Sequence, residues 1–147
     1  MTPVSQLIQH EQSGDIVQSW GDCFRASLAS LLDMRPEDVP HFCDGPPPTD
    51  GPDLWHQQVN SWLAQFDLFW MEFGVSEDGG EAWRQSLRNY DAAIYHLISG
   101  KSPRPHGRGH TVVGLNGIVV HDPHPSRDGI LHHDAYGFIF KRCGALL

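Results

Sequence analysis

Apolar positions recur along this chain at helical spacing first and at strand spacing later. Between Phe24 and Leu32, Leu28, Leu31 and Leu32 share one face, which predicts a helix over 22–33. Pro36-Glu37-Asp38-Val39 predicts the first turn of a short second helix, with Pro early and acids at the positive end. Trp55, Val59, Trp62, Leu63 and Phe66 follow i, i+4, i+7, i+8, i+11, which predicts an amphipathic helix over 53–66 with its aromatic stripe in the core. Leu68 to Val75 is aromatic-rich and predicts a strand, and Ser76 to Gly80 a turn. Trp83, Leu87 and Tyr90 return to helical spacing over 81–90, and Ala92 to Ser99 reads as a strand.

Two apolar strands then flank Asn116-Gly117, a strong hairpin signal. Ser126 to Gly129 is a turn, and Tyr136 to Arg142 a last strand. Residues 1–17 are weakly patterned, as a short helix or an extended arm. His41 to Pro52, with Pro46-Pro47-Pro48, reads as a partly polyproline-like loop. Helices come first and strands last. The expected fold is one α+β domain over 1–147, with N-terminal helices packed on a C-terminal antiparallel sheet.

The chemistry enters at the start of the first helix. Asp22 is a good N-cap residue, which places Cys23 at the first helical position. A thiolate there is favoured by the positive end of the helix dipole. The hairpin offers Cys23 two partners. A two-residue loop at Asn116-Gly117 pairs Leu115 with Ile118 and sets His110 opposite Pro123. A three-residue loop, Leu115 to Gly117, pairs Gly114 with Ile118 and sets His110 opposite Asp122. The three-residue loop is the expectation here, because opposed residues on one face can hydrogen-bond. Cys23 is then the nucleophile, His110 the base and Asp122 the group that orients it. The Cys23 backbone N–H and the Gln18 side-chain amide are candidate oxyanion donors.

These residues resemble the papain-like cysteine peptidase superfamily, nearest in motif to the bacteriocin-processing peptidase domains of ABC transporters. The matching blocks are Gln18, Asp22-Cys23, His110-Thr111-Val112-Val113 and Asp122-Pro123. Gln18 stands one residue nearer the Cys than in that pattern, and Phe24 follows the Cys where Gly is typical. Gly21-Asp22-Cys23 and His121-Asp122-Pro123-His124-Pro125 are also similar to blocks of small uncharacterised bacterial and phage proteins of this superfamily. The resemblance implies a papain-like fold, with Cys23 as nucleophile, His110 as base, Asp122 as orienter and Gln18 as oxyanion donor.

Composition narrows the alternatives. A formal net charge of −8 argues against nucleic-acid binding. No stretch is apolar for the roughly 18 residues a membrane span needs. Met1 to Gln12 lacks the basic and apolar regions of a signal peptide, so a cytoplasmic location is expected. The three cysteines have no CxxC spacing, and Cys43 and Cys143 are read as structural or incidental. The C-terminal third holds His106, His110, His121, His124, His132 and His133, which raises a metal-binding alternative. No HExxH or similar ligand spacing supports it, so no metal or other cofactor is expected.

Trp20, His124 and Arg108 are candidate substrate-binding residues. Trp20 has packing as its competing role. The loop carrying Arg104 and Arg108 either binds an acidic group or is a solvated loop. The expected activity is hydrolysis of a peptide or amide bond in a peptide or protein substrate. Acyl transfer or deamidation by the same triad, and a non-catalytic binding module, are the alternatives.

Overall fold

The computed structural model describes residues 1–46, 53–75, 78, 80–105 and 108–143. The elements run β1 (Glu11–Ser13), β2 (Ile16–Ser19), α1 (Cys23–Leu32), α2 (Asp53–Leu63), β3 (Leu68–Gly74), α3 (Glu81–Arg88), β4 (Tyr95–Lys101), β5 (Gly109–Leu115), β6 (Ile118–His121) and β7 (His133–Lys141). Single 3-10 turns lie at Pro36–Asp38 and Ala64–Phe66. β1 and β2 form a small hairpin, and the other strands form an antiparallel sheet in the order β3-β7-β4-β5-β6. The fold is α+β, as expected, but the helices are not gathered at the N-terminus. The β1-β2 hairpin precedes α1, and α3 lies between β3 and β4. Much of the loop at 41–52 and of the turn at 76–80 lies outside the described residues.

Helical periodicity is expressed as burial on one side of the sheet. Phe24, Leu28, Val59 and Leu63 of α1 and α2 pack with Trp70 and Leu97 of the sheet. On the other side Leu87 of α3 joins Ile98, Val112, Tyr136 and Phe138. The aromatic stripe of α2 is only partly interior: Phe66 is 43% exposed, and Trp55 and Trp62 are half-buried. Phe24, Trp55 and Trp70 form an edge-on aromatic trio with centroids 4.8–5.4 Å apart, a favoured ring geometry. Trp70 lies so close to Gly137 that a Cβ there would strike its indole nitrogen. This trio anchors the start of α1, because Phe24 directly follows Cys23.

The N-terminal ten residues are an extended arm held by α1. The Val4 N–H donates to Ser30 Oγ at 3.1 Å, and the Leu7 and Ile8 N–H groups donate to the Asp22 carboxylate at 3.3 and 2.9 Å. Asp22 therefore does not cap α1 with its side chain, contrary to expectation. It is fully buried and also accepts from Arg25. A buried carboxylate needs several donors, and the arm and Arg25 supply them.

The hairpin also departs from expectation. Asn116 and Gly117 have φ of 49° and 81°, and Leu115 pairs with Ile118. This is the two-residue loop with both central residues at positive φ. A bulge then shifts the register, so that Gly114 faces Val119 but Val113 faces His121. β6 ends there. Beyond it the Thr111 carbonyl accepts a 3.0 Å hydrogen bond from the buried Ser27 Oγ of α1. That bond, one helical turn after Cys23, fastens the Cys23 helix to the strand that carries His110.

Candidate active site

Cys23 opens α1, half-buried, on the wall of a cavity of about 1010 Å³ that His110 also lines. His110 is 6% exposed, and its Nε2 donates to Asp122 Oδ1 at 2.7 Å. Cys23 is the other side chain that acts on the His110 ring. With Nε2 committed to Asp122, Nδ1 is the nitrogen left to face the thiol. His110 therefore joins Asp122 to the cavity wall that also carries Cys23.

The His110–Asp122 contact arises differently from the expected cross-strand pairing. Asp122 follows the last residue of β6, and the bulge has already moved the register by one residue. Its carboxylate is then fixed by four donors. Oδ1 takes His110 Nε2 and the His124 N–H at 2.8 Å; Oδ2 takes Arg104 Nη2 at 2.9 Å and the Gly129 N–H at 2.7 Å. The backbone bond two residues on is the turn that Asp commonly makes with its own chain.

Electrostatics follow from these contacts. Burial opposes ionisation of Asp122, but hydrogen bonds from His110, His124 and Gly129 hold it well below the usual carboxylate range. Burial likewise favours a neutral His110. Its hydrogen bond with Asp122 and the action of Cys23, together with their charges, push it up to about 9. Cys43 lines the same cavity, yet burial, then the nearby Cys23 charge, push its thiol up to about 12. Cys143 is exposed and lies outside the cavity wall.

The remaining candidates divide. Trp20, His124 and Arg108 all line the cavity. The His124 ring meets His110 edge-on at 6.2 Å, and its Nδ1 pairs with Ser126 Oγ at 2.9 Å. Gln18 is exposed on β2 and does not line the cavity. Gln6 does. Its side chain is 9% exposed, its Nε2 donates to Ile8 O at 2.8 Å, and its buried Oε1 has no partner. Its backbone N–H bonds Pro123 O at 3.0 Å, next to Asp122. Gln6 was not legible in the sequence, because the path of the arm depends on the distant Asp22 carboxylate.

Histidines of the C-terminal third are engaged elsewhere. His121 Nε2 bonds Val4 O at 2.7 Å, His132 pairs with Asp134 at 2.9 Å, and His133 bonds the Tyr136 hydroxyl at 2.7 Å. His106 lies outside the described residues. Among the described residues no three His, Cys, Asp or Glu side chains converge as metal ligands. Also among them, no helix is long and apolar enough to cross a membrane. Compared with protein-family models, with curated proteins and with solved structures, the chain matches none.

Proposed function

We propose that this chain is a papain-like thiol hydrolase that cleaves a peptide or amide bond through a Cys23 thioester. The observation that carries the reading is the hydrogen-bonded His110–Asp122 pair, with His110 on the same cavity wall as Cys23 at the start of α1. The Cys23 thiolate attacks the carbonyl carbon, forming the C–S bond. The His110 imidazolium gives its proton to the departing nitrogen as the C–N bond breaks. His110 then takes a proton from water, which attacks the thioester and releases a carboxylic acid and the thiolate. Asp122 holds the ring so that Nδ1 faces sulfur throughout.

The oxyanion needs donors that are already in place. The Cys23 backbone N–H has no helical carbonyl to bond, because it lies in the first turn. Gln6 Nε2 has a second N–H beyond the one given to Ile8, and it replaces Gln18 in this role. Iodoacetamide at neutral pH tests the assignment. Cys23 is expected to alkylate first, with Cys43 protected by its high pKa. Labelling of all three thiols at one rate, or of none, would overturn the nucleophile assignment. Cys23→Ala is expected to abolish turnover with an unchanged circular dichroism spectrum.

A further inference from the structure

Two arginines border the cavity beside the catalytic chain, and their charges are met differently. Arg104 is neutralised by Asp122 at 2.9 Å. Arg108 makes no ion pair among the described residues. Its Nε and Nη2 both reach the neutral Gln12 Oε1 at 3.2 Å, and its guanidinium lies over the Trp20 ring at 4.8 Å. Gln12 and Trp20 therefore hold Arg108 from two sides, using two of its five N–H donors. Stacking on an aromatic face restrains a guanidinium without cancelling its charge.

The position of this cation relates it to the reaction. Arg108 is two residues before His110, and its carbonyl accepts from the Ser102 N–H at 2.8 Å, continuing the β4-β5 ladder. Two residues of strand span roughly 6.6 Å. Trp20 is three residues before Cys23 and lines the same cavity. The restrained cation thus shares one cavity wall with Cys23 and His110. The chain as a whole carries a formal charge of −8, which disfavours anions at long range. Screening confines that effect to roughly 8 Å, so a restrained positive group in the cavity wall acts on what enters the cavity.

We propose that Arg108, braced by Trp20 and Gln12, is an anion subsite that selects substrates with a carboxylate next to the scissile carbonyl. This rests on the thiol-hydrolase reading and specifies the class of substrate that site takes. The carboxylate is either an acidic side chain or the free end of a peptide, and the guanidinium fork suits both.

Two pairs of alkylating probes, each differing by one carboxylate, test the proposal. N-iodoacetyl-glutamate α-amide is compared with N-iodoacetyl-glutaminamide, and N-iodoacetylglycine with N-iodoacetylglycinamide. Cys23 alkylation is followed by mass spectrometry at neutral pH. In the unaltered protein at least one acid is expected to react about three- to tenfold faster than its amide, the range Coulomb attraction gives for a carboxylate bound at a guanidinium near the protein surface. The favoured pair identifies the source, side chain or chain terminus. Arg108→Gln is expected to bring the ratio to about one, and Arg108→Lys to retain most of it, with circular dichroism checking the fold of both. Equal rates in both pairs overturn the subsite while leaving the nucleophile standing. A preference that persists in Arg108→Gln also overturns it, and assigns the attraction to the His110 imidazolium. If the neutral probes fail to alkylate Cys23, the nucleophile reading falls and the subsite falls with it.

Discussion

His96 and His110 lie on neighbouring strands, both buried and both hydrogen-bonded through the ring, yet their pKa values move in opposite directions. His110 bonds the Asp122 carboxylate and shares a cavity wall with Cys23, and its pKa rises to about 9. In the closed layer His96 meets only neutral groups. Its Nε2 accepts the Gly117 N–H at 2.9 Å, and its Nδ1 bonds the Leu97 carbonyl at 3.0 Å. Tyr136 and Phe138 close over the ring, with centroids 5.0 Å away. Burial, followed by the influence of His133 and against the pull of the Leu97 carbonyl, lowers the pKa of His96. Depth is therefore not what separates the two histidines here. The sign of the nearest partner's charge separates them.

Asp122→Asn removes that charge and should produce the largest change. Asn keeps an acceptor oxygen but cannot hold the imidazolium, so burial pulls the His110 pKa back down. Turnover at pH 8 is expected to fall by roughly a hundredfold or more, the usual contribution of a positioned proton-transfer group. The alkaline limb of the rate profile should move below about 9. Stability responds too. A raised folded pKa contributes stability that is fully present below the unfolded value near 6.5 and is lost as pH rises through about 9. Denaturant midpoints measured from pH 6 to 10 should decline in the unaltered protein through the upper part of that window. The decline should be absent in Asp122→Asn. A variant with an unchanged pH profile would sever the link between carboxylate and histidine.

What the sequence could reveal follows the same division. The helix start at Cys23, the strand at His110 and the hairpin at Asn116-Gly117 are local patterns, and each appears where expected. The route by which Asp122 reaches His110 was not legible. The bulge places an extra residue in β6 near Val120, and no glycine marks it. The two-residue loop and the bulge both carry Asp122 away from the position opposite His110: continued from Val113 and His121, the register sets Asp122 level with Val112, and its carboxylate reaches His110 from beyond the end of β6. Asp22 looked like a cap because caps are read from neighbouring positions, whereas its donors come from the arm 14 and 15 residues away. The same long-range contact explains why Gln18, close in sequence, lies outside the cavity while Gln6 lines it. Gln6→Ala should lower turnover on the order of a hundredfold through loss of an oxyanion donor. Gln18→Ala should leave it within twofold. Equal losses in the two variants would return the oxyanion assignment to an open question about the hairpin.

The smallest effect belongs to the closed layer, and it runs in the opposite pH direction. With Nε2 accepting from Gly117, the proton of neutral His96 resides on Nδ1, facing the Leu97 carbonyl. A second proton on Nε2 would confront the Gly117 N–H and break the contact that braces the Asn116-Gly117 turn. The folded pKa lies below the unfolded value near 6.5, so above that pH both states are neutral and stability is flat with respect to this group. As pH falls through 6.5 the unfolded chain gains a proton that the folded chain refuses, and stability declines. His96→Leu removes this term but leaves the Gly117 N–H without its acceptor, at a cost of about 1–3 kcal/mol at pH 7.5. The deficit of the variant should therefore shrink as pH is lowered toward 5, by on the order of 1.4 kcal/mol for each unit of pKa depression. His124 is also lowered, but it titrates alike in both proteins and cancels in the difference, whereas His133, whose charge acts on His96, adds to the His96 term. A deficit that stays constant from pH 7.5 to 5 would mean that His96 titrates normally in its layer. Burial among neutral partners would then not be what sets it apart from His110.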